Sequence, residues 1–205
     1  MSPASALAER GIRDVVFDLG GVLIDWDPRY LLRDHLRFEE REVEEFLATV
    51  CTPQWHVMLD AGQPFAAAAR DLGERFPQRR RWIEAYCDGW AHMFAGAFDD
   101  GVEVLRELKA GGLSVHALSN YPAEHVAFLY RRFPFMAEFD TVLISGLLGV
   151  TKPARGIFEQ LQSVLGSRPC LFLDDRAENV AGARACGIEA LQVRSPRALR
   201  SLLGG

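Results

Sequence analysis

Residues 15–23 of this chain read VVFDLGGVL, in which three apolar residues run directly into Asp18 and a pair of glycines follows. The apolar run is too short for a helix and too apolar for a surface strand, so it predicts a strand buried on both faces of a parallel sheet. Asp18 then lies at the carboxyl end of this strand, where open α/β sheets bind their ligands. Gly20 and Gly21 permit a sharp turn beside it. Asp18 is therefore a candidate nucleophile or metal ligand, and the alternative is an aspartate that only caps a turn.

The composition is that of an ordinary globular protein. The chain has 205 residues, of which 49% are hydrophobic, and its mean hydropathy is -0.01, so it is long enough for one sizeable core. A net charge of -5 argues against non-specific binding to nucleic acid but leaves a small anionic substrate open. The four cysteines lack zinc-ligand spacing, which fits a reducing compartment. Without a signal core or an apolar run of about 18 residues, we expect a cytoplasmic protein with no membrane partner. We further expect a monomer or homodimer.

Strands and helices alternate from residue 102 onward, which predicts a doubly wound parallel sheet of the α/β class. Strands are expected at residues 13–17, 113–118, 141–144, 170–173 and 188–193. Residues 28–95 contain no convincing strand, and this helical block follows the first strand directly. Within the block we expect helices at residues 28–36, 38–50, 65–76 and 79–93, and a loop or broken helix at 53–62.

Three of the predicted strands end in polar residues. Asp18 follows the first strand, Ser119 and Asn120 follow the second, and Asp174 and Asp175 follow the fourth. Carboxyl ends of parallel strands share one edge of the sheet, so these side chains are expected to converge although they lie far apart in sequence. One such cluster is explained by capping, but three on one edge predict a shared site.

The charges at this edge do not balance. Asp18, Asp174 and Asp175 would repel one another strongly, and Lys152, at the start of a predicted helix, supplies a single positive charge. A hard divalent cation with oxygen ligands, above all Mg²⁺, resolves this excess and typically shares a phosphate of the substrate. An aspartate nucleophile, a cation, a lysine and a hydroxyl or amide donor together favour phosphoryl transfer through an aspartyl-phosphate.

These residues form four motifs that resemble those of the haloacid dehalogenase-like (HAD) hydrolase superfamily, in the same order and at similar spacing. The motifs are FDLGGV at residues 17–22, LSN at 118–120, KP at 152–153 and FLDD at 172–175. The resemblance spans about residues 12–195. It implies a Rossmann-like catalytic core formed by residues 1–24 and 96–205, with residues 25–95 as the small helical cap that this superfamily inserts between its first two motifs.

The resemblance implies a metal site around the nucleophile. Asp18 would attack the phosphoryl group and also bind Mg²⁺, with the main-chain carbonyl of Gly20 and the side chain of Asp175 as further ligands. Asp174 would share the metal or lie just outside its ligands. Asn179 stands where many relatives have a further acidic residue near the metal.

The resemblance also implies a phosphate-binding site. Ser119 and the neighbouring main-chain amides, including that of Asn120, would hold the phosphoryl oxygens, and Lys152 would pair Asp18 with the transferring group. For each of these residues, as for the metal ligands, the alternative is an ordinary cap or turn residue.

One position departs from the pattern of the phosphatases in this superfamily. They usually carry a second aspartate two positions after the nucleophile, which protonates the leaving oxygen and then activates water, whereas this chain has Gly20 there. Loss of such a group typically costs about 10²–10⁴ in rate. The motif instead resembles an Asp-x-Gly subgroup that includes glucose-1-phosphatase-like members. Either the substrate has a good leaving group, such as an anomeric sugar oxygen, or Asp25, otherwise a turn residue, swings in as the acid.

The sequence therefore predicts a Mg²⁺-dependent phosphatase that hydrolyses a small phosphomonoester, such as a sugar phosphate. The cap would set the choice of substrate, with Trp26, Trp55 and His56 as candidate contacts, although aromatic residues at helical spacing more often fill cores. Two alternatives stay open. One is a 2-haloacid dehalogenase on the same fold, which also lacks the second aspartate but needs no metal. The other is a catalytically weak HAD-fold protein that acts as a binding or regulatory module.

Overall fold

A five-stranded parallel sheet forms the centre of the protein, whose computed structural model describes residues 2–166 and 168–204. In chain order the strands are β1 (Asp14–Phe17), β2 (Ile24–Trp26), β3 (Phe94–Ala97), β4 (Ser114–Ser119), β5 (Thr141–Ile144), β6 (Cys170–Asp174) and β7 (Glu189–Gln192). The large sheet has the order β5-β4-β1-β6-β7, and each neighbouring pair in it is parallel. The predicted α/β sheet is thus confirmed, with the first strand in its middle.

Helices cover both faces of this sheet and fill the segment between β2 and β3. In chain order they are α1 (Pro3–Glu9), α2 (Glu40–Thr49), α3 (Pro53–Asp60), α4 (Phe65–Arg75), α5 (Arg80–Asp88), α6 (Asp99–Ala110), α7 (Val126–Arg132), α8 (Ser145–Leu148), α9 (Arg155–Leu165), α10 (Ala177–Ala185) and α11 (Leu199–Gly204). Shorter 3₁₀ segments cover Pro77–Arg79, Trp90–Met93, Ala123–His125, Pro134–Glu138 and Pro196–Ala198, and a π-helical turn covers Tyr30–His35. Among the residues described, no helix has the length and apolar character needed to cross a bilayer.

Strand β1 is buried on both faces, as its apolar run predicts. Val15 and Phe17 point into the larger apolar cluster, to which α1, α6 and α11 contribute, whereas Val16 points into a second cluster that α9 and α10 complete. Successive side chains of a strand point to opposite faces, so one short run serves both cores. The two layers of helices cover the faces of the sheet, whereas Asp18, Ser119 and Asp174 lie at its carboxyl edge.

The segment between β2 and β3 is helical, in agreement with the predicted block. Residues 53–62, expected as a loop or broken helix, form the helix α3 over Pro53–Asp60, so the loop alternative is wrong. Thr52 caps this helix, because its hydroxyl accepts a hydrogen bond from the N–H of Trp55 at 3.3 Å. Pro53 takes the first helical position, where no N–H is required.

A two-stranded antiparallel ribbon joins this helical segment to the large sheet. It consists of β2 and β3, and Asp25 lies opposite Gly96. Neither strand is predicted from the sequence, and β3 contradicts the expectation that residues 28–95 contain no convincing strand. Strands of three or four residues are too short to show the alternation of a half-buried strand. The domain boundaries expected after residues 24 and 95 fall within this ribbon and stay a prediction.

Candidate active site

The polar residues at the ends of the three central strands come together in the structure. Asp18 follows β1, Ser119 ends β4 and Asp174 ends β6, and these strands are neighbours in the sheet. One carboxylate oxygen from each of Asp18, Asp174 and Asp175 lies within 4.8 Å of the other two. The parallel direction of the strands is the cause, because it brings all their carboxyl ends to the same edge.

Lys152 is the cation at the centre of this cluster. Its Nζ lies 2.8 Å from Oδ1 of Asp18 and 2.8 Å from Oδ2 of Asp174, and it donates a further hydrogen bond to the carbonyl oxygen of Leu118 at 2.9 Å. Only 3% of the residue is exposed. Burial opposes the charged form, but the charges of Asp18 and Asp174 outweigh it and raise the pKa of Lys152. The residue is therefore an ammonium ion at neutral pH.

Asn120 holds the main chain of Lys152 in place. The N–H of Lys152 donates to Oδ1 of Asn120 at 2.8 Å, and Nδ2 of Asn120 donates to the carbonyl oxygen of Lys152 at 3.0 Å. The peptide bond between Lys152 and Pro153 is cis. Because the Asn120 side chain is committed to these bonds, the phosphate contact predicted for this residue would have to come from its main-chain N–H.

Asp174 is the most fully bonded carboxylate of the three. It is completely buried, and its oxygens accept hydrogen bonds from the N–H of Arg176 at 2.9 Å and from Nδ2 of Asn179 at 3.0 and 3.1 Å. With the bond to Lys152, both oxygens already have donors. Asp174 therefore holds the lysine, and Asn179 contacts the cluster of carboxylates through Asp174.

Asp18 and Asp175 keep oxygens that have no such donors. Oδ1 of Asp18 accepts bonds from the N–H of Leu19 at 2.7 Å and from Lys152, whereas in the described part of the chain no other residue donates to Oδ2 of Asp18 or to the carboxylate of Asp175. Burial raises the pKa of Asp18 to about 8, against the opposing charge of Lys152, and the nearby Asp174 adds to the rise. Burial and Asp174 also raise the pKa of Asp175. A divalent cation would supply the missing positive charge, so these residues fit Mg²⁺.

The two glycines after the nucleophile have different roles. Gly21 has a φ of 71°, and a Cβ atom there would lie 2.5 Å from Oδ2 of Asp175, so the close approach of the two segments requires glycine. A Cβ atom at Gly20, in contrast, would have no atom within 4 Å. The missing second aspartate therefore does not reflect a lack of space at residue 20.

Ser119 lies where a phosphoryl group is expected to bind. The residue is 3% exposed and ends a strand that pairs with β5 through Ile144. Within residues 2–166 and 168–204 its hydroxyl has no hydrogen-bond partner, so it is free to bind a ligand.

The aromatic residues predicted as substrate contacts form a cluster inside the helical segment. Trp55 is buried and packs edge-on against His56, whose Nε2 lies 2.6 Å from the hydroxyl of Tyr86. Burial lowers the pKa of His56 to about 4, so its ring is neutral. Trp26 contacts the same ring edge-on. These contacts favour packing over the substrate role, which stays a prediction.

Asp25, the candidate acid, accepts a hydrogen bond from the hydroxyl of Tyr30 at 3.0 Å.

The structure places one further residue near the predicted site, Asp60, which lies in the segment expected as a loop or broken helix. Asp60 ends α3, and its main-chain oxygen accepts a hydrogen bond from the hydroxyl of Ser145 in the core at 2.5 Å. Burial raises the pKa of its carboxyl group to about 7, against the opposing charges of Lys152 and Arg176. An aspartate in the last turn of a helix is unfavourable next to the negative end of the helix dipole. Asp88 ends α5 in the same way, so this conflict does not single out Asp60, and no local sequence signal marks the position.

Comparison with known proteins supports a hydrolase. A family model described as haloacid dehalogenase-like hydrolase matches residues 12–187. A sesquiterpene phosphatase of Aspergillus oryzae is 27% identical over 202 residues, which cover 92% of this chain and 95% of the relative. A phosphatase of Mycobacterium tuberculosis is 32% identical over 103 residues, which cover 49% of this chain and 48% of the relative.

Solved structures share the fold over nearly the whole chain. A HAD family enzyme of Bacteroides thetaiotaomicron, in complex with magnesium and inorganic phosphate, has a TM-score of 0.73 at 21% identity and covers 94% of this chain and 99% of its own. An L-2-haloacid dehalogenase of Xanthobacter autotrophicus has a TM-score of 0.66 at 19% identity and covers 95% of this chain and 83% of its own. At these identities the likeness shows the fold alone, so the choice between the two chemistries rests on the residues of the site.

Proposed function

The chain belongs to the haloacid dehalogenase-like hydrolases, and on that basis we propose that it is a Mg²⁺-dependent phosphatase, which hydrolyses a small phosphomonoester through an aspartyl-phosphate on Asp18. One observation carries this proposal. Asp18, Asp174 and Asp175 each offer an oxygen within 4.8 Å of the others, and Lys152 is the cation buried among them. Three carboxylates beside one ammonium group favour a hard divalent cation, and Mg²⁺ in such sites usually shares a phosphate of the substrate.

Each residue of the site has a place in this reaction. Asp18 attacks phosphorus, while the Lys152 ammonium group, 2.8 Å from Oδ1 of Asp18, offsets the negative charge that collects there. The hydroxyl of Ser119 and the main-chain N–H of Asn120 bind the phosphoryl oxygens. Mg²⁺, held by Asp18, Asp175 and the carbonyl of residue 20, would neutralise charge on the transferring group. Water then hydrolyses the aspartyl-phosphate and restores the Asp18 carboxylate.

The same charges argue against the two alternatives. A 2-haloacid is itself a carboxylate, and without a metal it would meet the uncompensated Asp174 and Asp175. A purely regulatory module has no need for a lysine that is 3% exposed between two carboxylates, since such buried charges are costly to keep. Two relatives that are named phosphatases also favour phosphate ester hydrolysis.

The test is phosphate release from a panel of monoesters, each assayed with Mg²⁺ and with EDTA. The panel contains sugar phosphates, p-nitrophenyl phosphate and, because one relative is named a sesquiterpene phosphatase, a terpenyl monophosphate. We expect hydrolysis that EDTA abolishes and that Asp18→Asn, which keeps the shape of the side chain but removes the nucleophile, also abolishes.

Chloride release from 2-chloropropionate is measured in parallel. Metal-independent chloride release without phosphate release would establish the dehalogenase instead. Absence of both activities, with ligand binding retained, would establish the binding module.

A further inference from the structure

We propose that Asp60 supplies the general acid and base that residue 20 lacks, so that the cap segment completes the active site; this inference rests on the proposed phosphatase function. Asp60 would protonate the leaving oxygen in the first step and activate water in the second. Proximity to the phosphate-binding loop, charged neighbours and an unbonded carboxyl group each support this role.

The main chain of Asp60 is anchored to the core at the phosphate-binding loop. The hydroxyl of Ser145 donates to the main-chain oxygen of Asp60 at 2.5 Å and accepts a hydrogen bond from the N–H of Tyr121 at 2.9 Å. Tyr121 lies two positions after Ser119. A single buried hydroxyl therefore connects the end of α3 with the loop that carries the predicted phosphate ligands.

The turn after Asp60 lies very close to the core. Gly62 has a φ of 100°, and a Cβ atom there would lie 2.8 Å from the main-chain oxygen of Gly146. A larger residue would force the two segments apart. Because this close contact requires glycine, the fold itself holds Asp60 near the core.

The charges that act on the Asp60 carboxyl group come from the catalytic edge of the sheet. They are those of Lys152 and Arg176, and the hydroxyl of Tyr121 also experiences the charge of Asp60. In the part of the chain that the structure describes, no side chain or main-chain N–H donates to this carboxyl group. With a pKa of about 7, raised by burial, it populates both protonation states near neutral pH, as a group that gives and takes a proton in turn must do.

Asp25, the acid considered from sequence, is less well placed. It lies on the ribbon, opposite Gly96, and Oδ1 already accepts the hydroxyl proton of Tyr30 at 3.0 Å. A Cβ atom at Gly20 would meet no other atom within 4 Å, so crowding at that atom does not explain the missing aspartate of the first motif. The described part of the chain instead carries an unbonded carboxyl group at Asp60 on α3.

The proposed steps balance in atoms and protons. The Asp18 carboxylate forms a bond to phosphorus as the bond from phosphorus to the ester oxygen breaks, and protonated Asp60 gives its proton to that oxygen, which leaves as an alcohol. Asp60, now a carboxylate, takes one proton from the attacking water. The new oxygen–phosphorus bond forms as the bond to Asp18 breaks, which releases inorganic phosphate and leaves Asp60 protonated for the next cycle.

The test compares Asp60→Asn with the wild type on two substrates. p-Nitrophenyl phosphate has a leaving group that departs unprotonated, whereas a primary alkyl phosphate requires an acid. For Asp60→Asn we expect kcat/KM to fall about 10²–10⁴-fold on the alkyl ester and less than about tenfold on the aryl ester. Because the second step lacks its base, a stoichiometric burst of p-nitrophenolate should precede slow turnover.

Two further variants make the test specific. Asp88 ends α5 as Asp60 ends α3, but it is exposed, so Asp88→Asn is a matched control that should retain wild-type kinetics. Adding Gly20→Asp to Asp60→Asn should restore alkyl ester hydrolysis at least tenfold, because residue 20 has room for a side chain.

Equal losses on both esters, or a loss selective for the alkyl ester in Asp25→Asn in place of Asp60→Asn, would overturn the proposal. Asparagine preserves the main-chain contact with Ser145, and melting temperatures verify that each variant is folded. If the wild type hydrolyses neither ester in the presence of Mg²⁺, the proposed function itself fails. That outcome differs from a wild type that is active and does not depend on Asp60.

Discussion

The side-chain amide of Asn120 forms two hydrogen bonds with the main chain of Lys152, at 2.8 and 3.0 Å, across 32 positions of sequence. This contact connects the loop after β4 with the segment that carries Lys152. The lysine ammonium group then bridges Asp18 and Asp174 at 2.8 Å each. The position of Lys152 therefore depends on Asn120, which does not itself contact either carboxylate.

Asn120→Ala is therefore expected to impair the site through the lysine. Loss of two partly buried hydrogen bonds should lower the free energy of unfolding by about 1–3 kcal/mol. It should also reduce kcat more than it raises KM, since the lysine acts on the transferring group. Urea denaturation and steady-state kinetics measure these effects. Asn120→Asp keeps the acceptor for the Lys152 N–H but places a carboxylate oxygen against the Lys152 carbonyl oxygen and adds negative charge to the edge, so it should lose at least as much stability as Asn120→Ala. A clearly smaller loss in Asn120→Asp would contradict this account.

Lys152→Met tests the charge balance of the cluster. Removal of the ammonium group leaves Asp18 and Asp174 buried without a partner, which should lower the free energy of unfolding by about 3–5 kcal/mol. The matched control is Lys109→Met, since Lys109 pairs with Asp140 at 2.8 Å on the surface with 40% of its side chain exposed. That exposed pair is worth about 1 kcal/mol or less. Similar losses for the two lysines would show that burial does not govern the cost.

The two adjacent glycines provide a second matched pair. Gly21→Ala places a side chain 2.5 Å from Oδ2 of Asp175 at a φ of 71°, and we expect a loss of about 1–3 kcal/mol in stability. It should also reduce the rise in melting temperature that Mg²⁺ produces, because Asp175 is displaced. Gly20→Ala enters open space and should change the stability by less than about 1 kcal/mol. Thermal denaturation with Mg²⁺ and with EDTA measures both, and an undiminished Mg²⁺ effect in Gly21→Ala would remove Asp175 from the metal site.

His56 should make the protein less stable in acid. Burial lowers its pKa from 6.5 to about 4, so between these values the unfolded chain binds a proton there that the native protein does not. The free energy of unfolding therefore falls as the pH is lowered through this range, by roughly 2–3 kcal/mol from this residue. His56→Gln offers Tyr86 a hydrogen-bonding group that does not titrate. Its unfolding free energy, measured in urea between about pH 6.5 and 4, should depend less on pH than that of the wild type, and parallel curves would refute the assignment.

The central sheet could be predicted because its strands are continuous apolar runs. Val15 to Phe17 are all fully buried, and burial on both faces of the sheet produces an uninterrupted apolar run that is visible in the sequence. The ribbon of β2 and β3 leaves no comparable pattern, since it consists of only three registered pairs between segments about 70 residues apart in sequence. The helix at Pro53–Asp60 carries a local start signal in Thr52 and Pro53, which its mixed apolar and polar content obscures.

Short local patterns were enough to predict that strands ending in Asp18, Ser119 and Asp174 meet at one edge, because such patterns encode strand direction and burial. The direction of the Asn120 amide toward Lys152 and the position of Asp60 beside the core arise only in the folded chain. Those features depend on hydrogen bonds between residues 32 and 85 positions apart. No local pattern specifies such contacts, since they exist only when packing has brought the segments together.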